Sequence, residues 1–289
     1  MFQKNFLMIY NISNNGLTAS FHSKGAELFS LKNNEKEFIW NGDPQFWGKH
    51  SPILFPIVGT LKDGTYNYEN KNYSLSRHGF ARDMEFEVMS KSESSIVFSL
   101  KSSSETLENY PFDFELQIKY ELIANSLSVG YSVKNLSDNQ MPFSIGAHPA
   151  FALKNDFKNY SLRFKNDEFL DYYLLENGLV SKLTNQIHLL NHQLQLDYNI
   201  FKYDALIIKS LASKSIEILE NNVPFIKIIF EEFPNLGIWT VNNAGFICIE
   251  PWFGYSDVTT SNGNLLVKEA ITILEIDQIF TVNYLIEIL

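Results

Sequence analysis

Four short segments, far apart in the chain, set a titratable side chain in a rigid, apolar or Gly/Pro-bounded context. In residues 245–257, Glu250 ends an apolar run and is walled by Pro251 and Trp252. Burial against such walls raises a carboxyl pKa toward the range where the group accepts a proton at neutral pH, which a general base requires. In residues 144–151, His148 stands between Ala147 and Pro149. The proline locks the following φ and so fixes where the imidazole points, and a fixed histidine is a natural general acid near neutral pH. In residues 76–83, His78 precedes Gly79, whose missing side chain leaves room for a ligand. In residues 201–208, Asp204 opens an apolar run. Taken singly, each has a plainer reading: a core histidine bonded to a carbonyl, a glutamate in a structural ion pair, a turn aspartate.

The elements that would hold these residues are strands. Residues 112–122 alternate apolar and polar side chains throughout, the period of a strand with one wet face. Shorter alternations recur at residues 96–100, 127–133 and 215–219, bounded by Asn, Ser, Gly or Asp. Residues 33–36, 69–72 and 135–139 read as hairpin turns on the surface, because Asn and Asp tolerate positive φ and bond locally to the backbone. Residues 51–60 carry Pro52 and Pro56 in an apolar run and read as an edge or bulged strand. The apolar start of residues 1–10 is too short for a signal core or a membrane span and reads as a first strand. No sustained helical period, linker or repeat interrupts this pattern. The expectation is all-β: one domain over residues 1–289, a large twisted antiparallel β-sandwich with an open cleft.

Composition narrows the function. Hydrophobic residues at 45% supply a sizeable core, and a formal net charge of -10 repels polyanions. Nucleic acid and anionic membrane are therefore not expected as partners, and a small neutral ligand is. With the single cysteine, Cys248, there is no disulfide framework and no Cys pair for zinc or redox chemistry, so a reducing cytoplasm is the expected compartment. The 42 aromatics (24 Phe, 14 Tyr, 4 Trp) suit half-buried pleated surfaces and also suit stacking on the apolar faces of sugar rings.

Together the segments resemble the aldose 1-epimerase (galactose mutarotase-like) family, and within it the LacX-like branch. The proline-bounded run before Gly59, His78-Gly79-Phe80-Ala81-Arg82, Ala147-His148-Pro149-Ala150-Phe151 and Glu250-Pro251-Trp252-Phe253-Gly254 stand in the family's order and at about its spacing, over nearly the whole chain. The resemblance implies a twisted β-sandwich that opens an aldose ring, with Glu250 as base and His148 as acid. It also implies His78 hydrogen-bonding near the ring oxygen and Asp204 holding sugar hydroxyls. Trp252, Phe80 or Phe151 would form the stacking wall, with Arg77 and Arg82 near the substrate. No metal or redox cofactor is required. One position departs from the family: where it carries a substrate-binding arginine, shortly after Pro56, this chain has Thr60.

That departure leaves a non-catalytic sugar-binding or sensing protein as an alternative. A glycoside hydrolase using Asp204 and Glu250 would need its carboxylates roughly 5–9.5 Å apart. His78, His148 and Glu250 have the ligand types of a zinc site, but their spacing does not support one. His22, His50, His188 and His192 are read as structural or surface residues, with His50 close enough to Pro52 to reach the cleft rim. For the substrate, a free aldose is favoured over a hexose 6-phosphate. Lys49, His50, Lys62, Arg77 and Arg82 are the cations that would have to converge to hold a phosphate.

Overall fold

The computed structural model describes residues 8–289. Two large sheets dominate. A nine-stranded sheet runs in the order Gln193–Gln195, Tyr160–Phe164, Ser215–Glu220, Val223–Ile229, Ile279–Ile288, Ser126–Asn135, Phe114–Ile123, Ser95–Lys101, Glu87–Lys91. An eight-stranded sheet runs Leu179–His188, Phe169–Glu176, Leu206–Ile208, Asn235–Trp239, Phe246–Phe253, Ile145–Ala147, Ile53–Leu54, with Ala150–Ala152 also paired to Phe246–Phe253. The ladders within both sheets are antiparallel. One core cluster takes Leu116, Ile118 and Val129 from the first sheet and Ile53, Ile145, Leu236 and Ile249 from the second, so the sheets pack face to face as a sandwich. Ile9–Asn14, Leu17–His22, Leu28–Asn33 and Lys36–Glu37 form a separate four-stranded sheet. The α-helix among the described residues is the six-residue Ser104–Asn109, started by a Ser103/Thr106 capping box.

The alternating runs fall where expected. Phe114–Ile123 buries every second residue up to Leu122, and Ser95–Lys101, Ser126–Asn135 and Ser215–Glu220 cover the shorter runs. Residues 51–60 supply only Ile53–Leu54, at an edge of the eight-stranded sheet. Of the strand expected in residues 1–10, residues 1–7 lie outside the described residues, and pairing begins at Ile9. Two of the three expected hairpins form, with Asn34 and with Glu69-Asn70 at positive φ.

The third does not. After Asn135 the chain leaves the nine-stranded sheet, and Met141–Phe143 pairs with Thr272–Leu274 instead. Asn135 is not a surface residue either: it is fully buried, and its side-chain amide donates to the carbonyls of Asn139, Leu274 and Glu275. An Asn can satisfy orphan carbonyls inside a fold as readily as it can turn a hairpin, and sequence does not distinguish the two uses.

Phe246–Phe253 is the central strand for function. Alternation sends Ile247 and Ile249 to the sandwich core and Cys248, Glu250 and Trp252 to the opposite face. The Trp252 indole lies flat across both neighbouring strands. A Cβ on Gly146 would come within 2.4 Å of its Cδ1, and one on Gly237 within 2.4 Å of its Cη2. Its Nε1–H donates to the Ala147 carbonyl at 3.1 Å. Glycine on both flanks is what lets a large ring lie against the sheet. Gly237→Ala is expected to lower stability by about 1–3 kcal/mol through overpacking, seen as a lower denaturant midpoint at unchanged slope. An unchanged midpoint would mean that the ring does not rest on this strand.

Candidate active site

Opposite Glu250 the neighbouring strand is interrupted. Gly146 pairs with Trp252 and Ala150 with Cys248, and His148-Pro149 fills the gap between them. Pro149 has no N–H to give to the ladder, so the break is written into the sequence. It brings His148 Nε2 to 3.3 Å from Glu250 Oε2. The approach lacks hydrogen-bond geometry, and Glu250 Oε2 and His148 Nδ1 have no hydrogen-bond partner. Glu250 is 1% exposed and His148 7%. Burial pushes the Glu250 carboxyl well above the usual carboxylate range; the Arg77 charge opposes this and Asp204 adds to it. Burial, followed by Arg77, pushes the His148 imidazole down to about 3. Both groups therefore rest uncharged, and the pair holds one proton, on Glu250.

His78 and Gly79 occupy consecutive left-handed positions, φ 71° and 72°. A Cβ on Gly79 would lie 2.2 Å from the Phe55 carbonyl oxygen, so only glycine fits there. The turn is held by His78 N–H donating to Gly59 O at 2.8 Å and Gly59 N–H donating to His78 Nδ1 at 3.0 Å. A backbone amide can only donate, so Nδ1 is the bare nitrogen and the neutral ring carries its proton on Nε2. Arg77 Nε comes within 3.3 Å of that Nε2. Both groups are donors in this tautomer, so the contact is not a hydrogen bond between them. Burial, then the repulsion that a second proton on neighbouring His148 would meet and the Arg77 and Arg82 charges, holds the His78 pKa well below its usual value.

These residues line one cavity of about 230 Å³, together with Trp47, Gly59, Arg82, Asp204, Trp239, Trp252 and Ser256. Arg77 Nη2 reaches Asp204 Oδ2 at 3.6 Å across the mouth. Arg82 Nη2–H donates to the Arg77 carbonyl at 2.7 Å and so steadies it. Trp47 stacks on His148 with ring centroids 4.8 Å apart, and Trp239 meets the same ring edge-on at 5.6 Å.

Glu250, His148, His78, Asp204, Arg77, Arg82 and Trp252 thus converge as the sequence suggested. Phe80 and Phe151 do not line the cavity. Phe151 is fully buried, and Phe80 packs on Phe55, Tyr110 and Phe114, so both serve the sandwich core. Trp47 and Trp239 take the wall positions instead. Trp239 could have been found by its spacing at the end of an apolar run; Trp47, in an irregular loop, left no such signal. His50 does not reach the rim: its ring lies 3.7 Å from the Glu27 carboxylate, and its carbonyl accepts from Ala150 N–H. Lys49 pairs with Asp83, and Lys62 Nζ donates to Ser261 O.

Thr60, at the departing position, works in the backbone behind the cavity. Its N–H donates to Ser256 Oγ at 3.0 Å and its carbonyl accepts from Asp257 N–H at 2.8 Å. Asp257 in turn accepts from Lys62 N–H and lies 3.5 Å from Lys268 Nζ, both side chains being almost wholly buried. Lys268 Nζ also donates to the Tyr255 carbonyl. This clamp holds the segment whose Gly59 fixes His78.

Comparison with known proteins gives a consistent result. The family model described as aldose 1-epimerase matches residues 8–269. The plasmid-encoded protein LacX of Lactococcus lactis subsp. lactis is 35% identical over 276 residues, covering 90% of this chain and 92% of its own. Among solved structures, a galactose mutarotase related enzyme from Lactobacillus acidophilus superimposes with a TM-score of 0.93 at 32% identity, covering 98% of this chain and 97% of its own. A galactose mutarotase-like protein from Lactobacillus casei does so with a TM-score of 0.90 at 29% identity, covering 98% and 100%.

The clamp can be tested separately from any activity. Lys268→Met leaves Asp257 as an uncompensated buried charge and is expected to cost about 3–5 kcal/mol in a denaturation experiment. The double variant Lys268→Met/Asp257→Asn removes that charge and should recover a clear part of the loss. Additive losses would show that the two side chains do not act as a pair.

Proposed function

The chain belongs to the aldose 1-epimerase family, and from that premise we propose that it is an aldose 1-epimerase, a cytoplasmic isomerase whose single domain interconverts the α and β anomers of an aldose. The observation that carries this reading is the buried Glu250–His148 contact in the cavity, a carboxyl and an imidazole 3.3 Å apart. Ring opening needs a base for the anomeric hydroxyl proton and an acid for the ring oxygen as the C1–O5 bond breaks. Transfer of the Glu250 carboxyl proton to His148 produces both, Glu250 as base and His148 as acid. The nearby Arg77 charge favours ionised Glu250. After rotation about C1–C2 the transfers reverse and the other anomer closes.

His78 Nε2–H and the Arg77 guanidinium, both lining the cavity, are donors available to an oxygen of the sugar. Asp204 beside Arg77 accepts from sugar hydroxyls. Trp47, Trp239 and Trp252, three of the chain's four tryptophans, offer aromatic faces to the apolar side of the ring. The substrate-binding arginine that the Thr60 position lacks is supplied by Arg77, which enters the same cavity from a different segment. This favours an enzyme over a passive binder, and proton transfers between side chains and sugar need no metal or redox cofactor.

Glu250→Gln keeps the shape and removes the proton acceptor, so mutarotation followed by polarimetry should slow at least ~10²-fold with little change in melting temperature. Retained activity would take Glu250 out of this role. In the pH profile of kcat/KM, the pair lacks a base below the depressed His148 pKa and lacks an acid above the raised Glu250 pKa. The profile should therefore be a broad bell, its acid limb well below the ordinary histidine value of about 6.5. An acid limb at that value would mean that His148 rests charged.

A hexose 6-phosphate is the second reading, and one observation favours it: Arg77 and Arg82 both line the cavity. Free aldose remains our choice, because Arg77 already faces Asp204 and Arg82 is bound to the Arg77 carbonyl, so no free guanidinium fork is presented. At low salt, kcat/KM for free galactose or glucose should exceed that for the 6-phosphates. A tenfold preference for a phosphorylated sugar would reverse the choice.

A further inference from the structure

Cys248 shares the cavity-side face of its strand with Glu250, two residues away. One ligand atom from each of His148, Cys248 and Glu250 lies within 4.8 Å of the other two, and all three residues are buried. We propose that these three side chains form a binding site for a thiophilic divalent cation, Zn²⁺ or Cd²⁺, and that filling it arrests the proton transfers at the cavity floor.

The donor set selects the metal class. One sulfur, one imidazole nitrogen and one carboxylate oxygen suit zinc and its softer relatives, whereas Mg²⁺ and Ca²⁺ require oxygen cages. Tetrahedral zinc at ordinary bond lengths places its ligand atoms about 3.3–3.8 Å apart. The His148 Nε2–Glu250 Oε2 separation of 3.3 Å already meets this, and closing the rest of the cluster from 4.8 Å takes a movement of roughly 1 Å. Glu250 Oε2 has no hydrogen-bond partner among the protein groups around it, so no existing bond must break for it to ligate.

Two of the three ligands lie on one strand, backbone-paired on both sides, and the third is fixed by Pro149. Glu250 and His148 line the cavity, which is the entry path, while Cys248 lies behind them in an apolar cluster with Trp40, Ala150, Ala244 and Phe246. Three protein ligands with one open side is the pattern of an accessible zinc site rather than a closed structural one. A cation there displaces the Glu250 carboxyl proton and the Cys248 thiol proton, both released to solvent, and occupies the Glu250 and His148 lone pairs that the proposed reaction uses. The inhibitory half of the inference rests on that reaction; the binding half does not.

The chain has one cysteine, so a thiolate-to-Cd²⁺ charge-transfer band in the ultraviolet reports Cys248 alone. Titrating the purified protein with CdCl₂ should raise this band to saturation at one equivalent, and it should vanish in Cys248→Ala. In a mutarotation assay, ZnCl₂ should inhibit, glucose should compete with it, and EDTA should restore the full rate. In Cys248→Ala the inhibitory concentration should rise at least tenfold, since even an outer-shell partner is worth about 10–100-fold in metal affinity, while the metal-free rate stays the same. Absence of the band in the unmodified protein, a measurement that needs no variant, overturns the proposal, as does equal zinc sensitivity in Cys248→Ala. A saturating band on a protein with no mutarotase activity upholds the site and overturns the enzymatic reading instead.

Discussion

Holding a carboxyl group away from water, with no hydrogen bond to one of its oxygens, is the constraint around which the cavity is organised. Desolvating Glu250 favours its neutral form, and the same burial favours neutral His148. The cost is contained because both groups favour their neutral forms, so no unpaired charge is buried there. Wall residues preserve this balance. Trp47 and Trp239 cover two sides of the imidazole, and Trp252 lies on the next cavity-facing position after Glu250. Arg77 then tilts the balance toward the ionised carboxylate without making an ion pair with it, since its guanidinium is directed at Asp204.

Positioning is achieved by backbone more than by side chains. Glu250 and Trp252 gain their direction from a strand paired on both sides, and His148 from the gap that Pro149 opens in its neighbour. His78 owes its tautomer to one amide, that of Gly59. Gly59 sits at φ 75°, and a Cβ there would lie 2.1 Å from Ser256 Oγ. Behind it, Thr60, Ser256, Asp257 and Lys268 form a buried network in which the donors and acceptors described above are matched. Such matched networks rigidify the backbone around them, here the segment whose Gly59 amide fixes the His78 ring.

The legible part of this arrangement was whatever has a period or a punctuation mark. Strict alternation in residues 112–122 marked a strand with one face inward, and that face is in the core. Pro149 and Gly79 beside histidines, and Pro251 beside Glu250, marked backbone that holds a side chain still, and all three of those side chains line the cavity. The aromatic wall was not legible, because a Phe in a strand carries the same pattern whether it faces a partner sheet or a ligand. Phe80 and Phe151 face the core, while Trp47 enters the cavity from an irregular loop. Thr60 marks a related limit: a missing arginine at one position says nothing of which cations reach the cavity from other segments, as Arg77 and Arg82 do. Asn135 shows the same limit, since its turn-forming chemistry also bonds buried carbonyls.

The strand Ile279–Ile288 lies between Val223–Ile229 and Ser126–Asn135, near the middle of the nine-stranded sheet rather than at its edge. During synthesis, therefore, every other strand of that sheet emerges while its two halves still have a gap between them. Each half then exposes an unpaired edge, the kind of surface that invites pairing with a neighbouring chain. The closing pairs join residues up to 161 positions apart, such as Ser126 with Glu287, and contacts so distant in sequence form slowly. The two halves of the sheet are therefore joined only when Ile279–Ile288 is in place, and until then each presents an edge that the finished fold conceals.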